Sequence, residues 1–547
     1  MSVQESKNNL VSMLRTSALL AVFCCLGFAA PTTADSDVKG QKSTPPMWGD
    51  LNPGKFDVGF RTVFAYDRSR PSIPYSDWGG KLYPSNETEG RQMQINIWYP
   101  AKVTKKDARL KFQHYLDLTA QQTDFGKIDE QKRKFAEQQY IAKTNALGGG
   151  NTFTAEKLRL LTRLETHAYP NPRPIDQKFP LIVFPNGGSP AFQSIMCEFF
   201  ASHGFVVAAV ALKGQHAFTN GASLRGVETA VQDLDFTVGK VLEIRQVDRT
   251  KICLIGNAIS SSQSIAYQSR NPNITCVVSL EGGLLSEFEQ KILRRTAFYD
   301  EQSVDIPILA IYAPHPAIDP KNIYHLKYSD RYFLHFPKMT EFHFLNYGVF
   351  ERFVPNIIGK PKGDVQKGFE LAALYSLRFF EANLLNNKQS AGFLRQKPSE
   401  SGHIDRHFVK EALPVPQNIT NLKNAFTKDG ITYIERVYYK HKKRDPTPFS
   451  REFFNDFKDW LAWKKDPKYE NRFRLYKLAL ESYANSATIN YYFAYFALKT
   501  ERKGVSKEHF RKALELLKTD KSPELTSDRK AQMKEFIKKS LEELNKS

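Results

Sequence analysis

A sharp turn between a buried strand and a helix is the feature of this sequence best suited to chemistry. The apolar run KICLIG ends at Gly256, and Asn257, Ala258, Ile259 and Ser260 follow it. Such a turn presents its middle residue to a substrate and needs small flanking residues, because strand and helix nearly touch. Small residues flank the turn here, but the middle position holds Ala258, whose methyl group cannot attack a carbonyl.

A second register of the same turn contains a serine. The run from Ala258 to Ser262 also fits the pattern small-x-Ser-x-small, with Ser260 in the middle and Ser261 beside it. A turn slipped by two residues would therefore supply a nucleophile. Without the slip, these serines are small packing residues in the first turn of the helix. Both registers stay open at this stage.

The elements around this turn predict a parallel sheet. Residues 179–345 contain the apolar runs PLIVF, FVVAAVAL, KICLIG, ITCVVSL, IPILAIY and YFLHF, separated by helix-like segments such as Leu224–Ile244. Continuous buried strands that alternate with amphipathic helices indicate a mostly parallel sheet with helices on both faces. In such sheets chemistry takes place at the carboxyl ends of the strands.

Composition shifts divide the rest of the chain. We predict a signal peptide over residues 1–34, a flexible lead-in over 35–56, and an α/β domain over 57–395 with a helical insertion at 103–168. A linker over 396–420 and a helical tail over 421–547 follow. The insertion is polar and helix-forming, and it either covers a pocket or decorates an edge of the sheet.

The tail shows a weak internal repeat. Tyr476 and Ala479 recur 34 residues later as Phe510 and Ala513. This spacing is typical of tetratricopeptide-type helical hairpins. Because stable arrays need three or more repeats, an ordinary helical appendage is the alternative.

Several stretches in order resemble one family. They are VGFRTV, GRQMQINIWYPA, FPLIVFPNGG, ASHGFVVAAVAL, KICLIGNAISSS, VVSLEGG and EFHF, spread over residues 57–385, about 60% of the chain. Together they resemble the platelet-activating-factor acetylhydrolase and dienelactone hydrolase group of α/β-hydrolases. The resemblance implies the α/β-hydrolase fold and a carboxylic-ester hydrolase ancestry.

The same resemblance assigns the triad partners. It places the acid at Glu281, in SLEGG, and the base at His343, in EFHF. Asp319, after the run IPILAIY, is an alternative acid, since some related hydrolases carry the acid there. A carboxylate from either Asp or Glu can orient an imidazole.

The resemblance also implies an oxyanion hole. Its donors would be the backbone N–H of Ile259 and one N–H from the loop that contains Gly187 and Gly188. Family members usually have His-Gly where Asn186-Gly187 stands here. Backbone donation does not depend on that histidine.

Three functions follow as hypotheses. The first is a degenerate hydrolase that binds an ester-like, lipid or envelope ligand. The second is an active serine esterase that uses Ser260 or Ser261 with His343 and Glu281. The third is a scaffold that binds a protein partner through its helical tail. We expect no cofactor and no metal, because the sequence has no Walker loop, Gly-x-Gly-x-x-Gly run or Cys/His cluster.

The N-terminus predicts export. Lys7 and Arg15 precede the short apolar run ALLAVFCCLGFAA. The small residues Thr32, Thr33 and Ala34 that follow it form a suitable cleavage site before Asp35. This pattern is typical of a cleaved secretory signal, with an uncleaved anchor helix as the alternative.

The net charge of +20 is spread along the chain. In an exported protein it favours an anionic envelope surface over nucleic acid.

The cysteines predict no disulfide scaffold. Five cysteines in 547 residues are too few for one. Cys253 and Cys276 lie inside apolar runs, so we expect both to be buried structural thiols. Cys197 is the third cysteine that remains after signal cleavage.

Overall fold

The structure is a computed structural model that describes residues 46–71, 75–76, 82–83, 90–122, 125–148, 150–186, 189–211, 222–399, 402–464, 469–522 and 524–546. The predicted signal peptide, most of the lead-in and the oxyanion candidates Gly187 and Gly188 lie outside these residues. Within them, no helix has both the length and the apolar character needed to cross a membrane.

The strands follow the apolar runs of the sequence. In chain order they are β1 Asp57–Asp67, β2 Tyr75–Ser76, β3 Leu82–Tyr83, β4 Arg91–Lys102, β5 Ala168–Pro170, β6 Arg173–Pro174, β7 Phe179–Asn186, β8 Val206–Ala211, β9 Val247–Asn257, β10 Ile274–Leu280, β11 Ile308–Tyr312, β12 Arg331–His335 and β13 Arg406–Lys410. The main sheet has the order β13-β12-β11-β10-β9-β7-β8-β4-β1-β5, with β6 beside β4. From β8 to β12 all neighbours are parallel, whereas β4 and β13 run antiparallel to theirs.

Helices cover both faces of this sheet and form the tail. They are α1 Phe112–Asp117, α2 Glu130–Gly148, α3 Ala155–Thr162, α4 Ser194–Ser202, α5 Leu224–Leu242, α6 Ile259–Gln268, α7 Glu287–Leu293, α8 Tyr347–Phe350, α9 Val365–Leu384, α10 Lys388–Phe393, α11 Ile419–Asp429, α12 Ile431–Lys442, α13 Arg451–Trp463, α14 Tyr469–Ser482, α15 Ala487–Lys499, α16 Lys503–Thr519 and α17 Ser527–Lys546. The order of strands and helices confirms the predicted fold class, an α/β-hydrolase fold followed by a helical C-terminal region.

The core has two layers because strand residues alternate between the faces of the sheet. Cys253 and Ile255 of β9 pack with α4, α9 and the insertion helices α1 to α3. Ile252 and Leu254 pack on the other face with α5, α6 and α7. In the tail, the repeat residues are all buried: Tyr476, Ala479, Phe510 and Ala513.

A buried carboxylate joins the insertion to the sheet domain. Glu198 of α4 accepts hydrogen bonds from Trp48 Nε1 (2.7 Å), Tyr115 Oη (2.7 Å) and the His167 backbone N–H (2.9 Å). Burial raises the pKa of Glu198 to about 7, although these three donors lower it. The fully buried Trp48 shows that the end of the predicted flexible lead-in is part of the core. A large aromatic side chain buries enough apolar surface to order the chain around it.

Two further expectations are corrected. The predicted linker 396–420 contributes β13, which pairs with β12 at the sheet edge. Cys253 and Cys276 form a disulfide instead of remaining thiols. They face each other in the register of the parallel strands β9 and β10, with 4.9 Å between their Cα atoms, a separation within disulfide range. The remaining cysteine in the described ranges, Cys197, is a buried free thiol.

We expect Glu198→Gln to destabilise the protein by about 2–4 kcal/mol, because its amide NH2 would face buried N–H and O–H donors. The cost also depends on pH. Since folding raises the carboxyl pKa from 4.5 to about 7, its stabilising contribution is complete below 4.5 and declines as pH rises through 7. Calorimetry should therefore show a larger difference in Tm between wild type and variant at about pH 5 than at about pH 8. Glu156→Gln on the exposed face of α3 is the control; equal losses in both variants would contradict the prediction.

Candidate active site

The strand-to-helix turn has its apex at Ala258. β9 ends at Asn257, α6 begins at Ile259, and Ala258 has φ 51° and ψ −135°. A Cβ atom added at Gly256 would lie 2.4 Å from the Ser261 backbone nitrogen, so strand and helix nearly touch. This close approach explains the small residues around the apex. The residue that the turn presents is an alanine.

The serines after the apex lie inside α6. The Ser260 hydroxyl accepts from the Asn257 N–H at 2.8 Å and donates to the Asn257 carbonyl at 2.6 Å. Ser261 is fully buried, and no described residue forms a hydrogen bond with its Oγ. The two-residue slip considered from the sequence is therefore not formed, because the positive-φ residue is Ala258 and Ser260 holds the turn closed. Ile259, the first helical residue, has a backbone N–H without an intrahelical acceptor.

Glu281 packs directly against this turn. It follows β10 with φ 73°, and its carboxylate accepts hydrogen bonds from the Ala258 and Gly283 N–H groups. Its Oε2 atom is buried and has no hydrogen-bond partner within the described part of the chain. Burial and the nearby charges of Glu341 and Glu289 raise the pKa of Glu281 well above its usual range, against those two hydrogen bonds. Burial and these neighbours therefore favour the uncharged form of the carboxyl.

His343 lies in the 3-10 turn Glu341–Phe344, with its ring buried. Its Nδ1 accepts from the Thr340 backbone N–H at 3.0 Å, and Thr340 Oγ1 lies 2.9 Å from the same atom. Because a backbone N–H can only donate, the neutral ring carries its proton on Nε2. The buried Nε2 has no hydrogen-bond partner among the residues that the structure describes. Burial lowers the pKa of His343 to about 4, so the ring is neutral at pH 7.

This arrangement differs from a catalytic triad. In a triad the acid accepts from Nδ1–H, and Nε2 takes a proton from the nucleophile. Here the Thr340 N–H donates a hydrogen bond to His343 Nδ1, and the Glu281 carboxyl accepts from the elbow backbone. With its proton on Nε2, His343 donates where a triad histidine accepts.

Two more carboxyls join Glu281 at this edge of the sheet. Glu289 of α7 accepts from Ser262 Oγ at 3.1 Å. Burial raises its pKa to about 8, with a further contribution from the charge of Glu341. Burial also raises the pKa of Glu341, whereas His315 lowers it. In the parts of the chain that the structure describes, no group of His, Cys, Asp or Glu has the geometry of a metal site.

The remaining predicted residues have structural partners or lie outside the described ranges. The Asp319 carboxylate accepts from the Lys321 N–H at 2.9 Å and caps the turn Pro320–Ile323, so it is engaged in a local turn. Nothing is described of Gly187 and Gly188. Ser189, next to them, donates to the Tyr115 carbonyl of the insertion at 3.0 Å.

The insertion packs on both loops that flank the site. Tyr140 of α2 stacks on Phe192, which follows the β7 loop, with ring centroids 5.0 Å apart. Lys143 Nζ lies 4.1 Å from the same ring, and burial lowers the pKa of Lys143 to about 8. Thr144 Oγ1 of α2 forms a hydrogen bond of 2.9 Å with the hydroxyl of Tyr347, a residue four positions after His343. The insertion therefore contacts the site surroundings and does not decorate a sheet edge.

Sequence reasoning missed a second histidine–carboxylate pair. His335 ends β12, and its Nδ1 lies 2.6 Å from Asp405 Oδ1. The centroid of the Tyr312 ring, at the end of β11, lies 4.8 Å from the centroid of the His335 ring. The final histidine of YFLHF was a signal for a polar group at the carboxyl edge. Asp405 gave none, because it lies in the segment predicted as a linker.

A known protein family matches part of this chain. Residues 129–248 match the family model described as platelet-activating factor acetylhydrolase, isoform II. The chain has the α/β-hydrolase fold and is similar to that family over this segment. The matched segment ends before Ala258, so it does not include the residues of the elbow, Glu281 or His343.

No curated protein matches the sequence. Among solved structures, a ferulic acid esterase from Streptomyces cinnamoneus is similar over 63% of this chain and 94% of its own. The two share 16% sequence identity with a TM-score of 0.45. The strand order and the elbow of this α/β-hydrolase-fold chain carry the fold assignment.

The contact between the elbow and the Glu281 turn predicts a sharp effect of Gly283→Ala. The added Cβ would lie 2.2 Å from the Ala258 carbonyl oxygen, a backbone atom that cannot move without opening the turn. We expect a loss of at least ~2 kcal/mol, measured as a lower guanidinium chloride midpoint. Gly392→Ala is the matched control, because no atom lies within 4 Å of its added Cβ. Equal midpoints for the two variants would contradict this packing.

Proposed function

We propose that this chain is an exported protein that binds an ester-like or envelope ligand on an esterase-type fold without hydrolysing it. The observation that carries the proposal is the methyl group of Ala258 at the apex of the elbow. Loss of the triad serine reduces catalysis by about a million-fold in subtilisin, the reference case for such deletions. The absence of a nucleophile at the apex therefore favours binding over turnover.

The protonation of His343 supports the same proposal. With Nδ1 accepting from Thr340, Nε2 carries a hydrogen and cannot take a proton from a nucleophile. A pKa of about 4 keeps the ring neutral over the physiological range. The imidazole is therefore a hydrogen-bond donor that needs an acceptor.

Buried polar atoms without partners indicate what the ligand provides. Among the described residues, they are Asn257 Nδ2 and Ser261 Oγ at the elbow, Glu281 Oε2 in the turn that packs against it, and His343 Nε2 in the turn Glu341–Phe344. Buried polar groups normally have hydrogen-bond partners, and leaving them unpaired costs free energy. An uncharged ester, with its carbonyl oxygen as acceptor, matches the neutral donors of this site.

Two observations support export. The N-terminal sequence has the pattern of a cleaved signal. The Cys253–Cys276 disulfide is typical of oxidising compartments outside the cytosol. The charge of +20 is compatible with an anionic envelope surface as the setting of this protein.

Turnover of a short-chain p-nitrophenyl ester by the purified mature protein tests the proposal. We expect wild type to match buffer. We expect Ala258→Ser to gain less than about tenfold, because His343 lacks an acceptor nitrogen at Nε2. Nitrogen-15 chemical shifts of the His343 ring should show an unprotonated Nδ1 and a protonated Nε2. A gain of 100-fold or more in Ala258→Ser would show that His343 turns to serve as a base.

The active-esterase hypothesis makes the opposite prediction for the same assay. If Ser260 or Ser261 were the nucleophile, wild type would turn over the ester, and Ser260→Ala or Ser261→Ala would abolish turnover. A serine-directed phosphonate would also label one of them. Ser264→Ala, another buried serine of α6, is the control. Labelling of wild type at Ser260 or Ser261 would overturn the binding proposal.

Export makes a separate prediction about the thiols. Cleavage after Ala34 removes Cys24 and Cys25 and leaves Cys197, Cys253 and Cys276. We expect protein from the envelope or medium to begin at Asp35. After unfolding it should take up one alkyl group per chain without reductant and three with it. Protein that retains the first 34 residues, or takes up three groups without reductant, would contradict this.

A further inference from the structure

A cleft lies where the sheet domain meets the helical tail. Its lining comes from residues 300–305, which precede β11, from residues 415–419, and from residues 448–456 at the start of α13. Its volume of about 440 Å³ is that of a small-molecule site. This interdomain cleft is distinct from the elbow and takes no part in the proposed function.

Aromatic rings form one side of the interdomain cleft. Phe449 and Phe453 both line it, with ring centroids 4.2 Å apart. Val415, on the segment before α11, is half exposed at the same cleft. An aromatic and aliphatic lining favours an apolar body in the ligand.

The rim carries charge of one sign. Asp300, Asp305, Glu452 and Asp456 line the interdomain cleft, and none of the described lysines or arginines lines it. Among the described residues, none of these four carboxylates forms an ion pair, although the chain has 78 Lys and Arg residues. Burial raises the pKa of Asp300, and the charge of Glu452 adds to this effect. An acidic rim that this basic chain leaves uncompensated is complementary to a cation.

The walls are fixed before any ligand arrives. Lys327, just before β12, forms an ion pair with Asp445 at 2.8 Å. Tyr328, which lines the cleft, donates from its hydroxyl to Asp445 Oδ2 and to the Pro448 carbonyl, each at 3.1 Å. These bonds tie the sheet domain to the tail beside the rings, and a preformed site loses less entropy on binding.

We propose that the interdomain cleft binds a small organic ammonium ion with an apolar body. The ammonium group would lie between the carboxylates and the half-buried ring of Phe453, whose quadrupole attracts a cation, with the buried Phe449 ring packed against Phe453. The apolar body would fill the remaining volume. A protein segment is less favoured, because a stable protein interface needs a surface well beyond one cleft of this size.

Isothermal titration of the full mature chain with benzyltrimethylammonium tests the assignment, with benzyl alcohol as the uncharged comparison. We expect saturable binding of the cation only. Glu452→Gln/Asp456→Asn should weaken it about tenfold or more, and Phe453→Leu about fivefold. The control is Glu535→Gln/Glu542→Gln on the exposed face of α17, which changes net charge equally and should bind like wild type. Thermal melts confirm that each variant is folded.

Each contrary result identifies a different error. No binding of the cation, or equal weakening by the α17 control, overturns the site. Equal binding of benzyl alcohol reduces it to an apolar surface. Binding of a lysine-rich peptide in the cleft, without binding of benzyltrimethylammonium, shows that the occupant is a protein segment. None of these outcomes depends on ester turnover at the elbow.

Discussion

The close approach of strand β9 and helix α6 is the constraint on which the candidate site depends. With only a turn between them, the backbone at Gly256 lies against that of Ser261, and Ala258 takes a positive φ. The turn after β10 then packs on the apex through Gly283, which brings Glu281 to the Ala258 N–H. The Cys253–Cys276 disulfide links the same two strands five residues before Ala258 and before Glu281. The position of the acid is therefore a consequence of the turn and of the strand register.

The electrostatics of the site follow from that packing. A carboxyl in close contact with backbone on several sides loses water, and burial together with like-charged neighbours favours its neutral form. Burial raises the pKa of Glu281, Glu289 and Glu341, like-charged neighbours add to this for Glu281 and Glu289, and burial lowers the pKa of His343. Acid–base catalysis needs partners whose pKa values are driven apart around a reacting group. Here every group is driven toward its uncharged form, which suits recognition of a neutral ligand.

The fold was largely predictable from the sequence because the pattern of apolar runs dictates it. Uninterrupted buried strands and amphipathic helices can pack in few arrangements, and the run of small side chains after β9 indicates the elbow. The predictions that were wrong concerned features that depend on contacts between segments distant in the sequence. The disulfide needed the register of β9 and β10, and β13 was hidden because a short, half-exposed edge strand resembles a polar linker. The hydrogen bond from the Thr340 N–H to His343 Nδ1 is a local capping interaction that residue types and spacing did not predict.

The backbone strain at Ala258 is sustained by the packing around the elbow. A non-glycine residue at φ 51° and ψ −135° costs on the order of 1–3 kcal/mol, and such strain persists only where surrounding packing determines it. Here that packing is visible: Ser260 closes the turn from within, and Gly283 presses on the Ala258 carbonyl from outside. Relaxing Ala258 would break both contacts and detach Glu281 from the backbone. The strained turn thus fixes the positions of Asn257, Ser261 and Glu281, on which the proposed binding function depends.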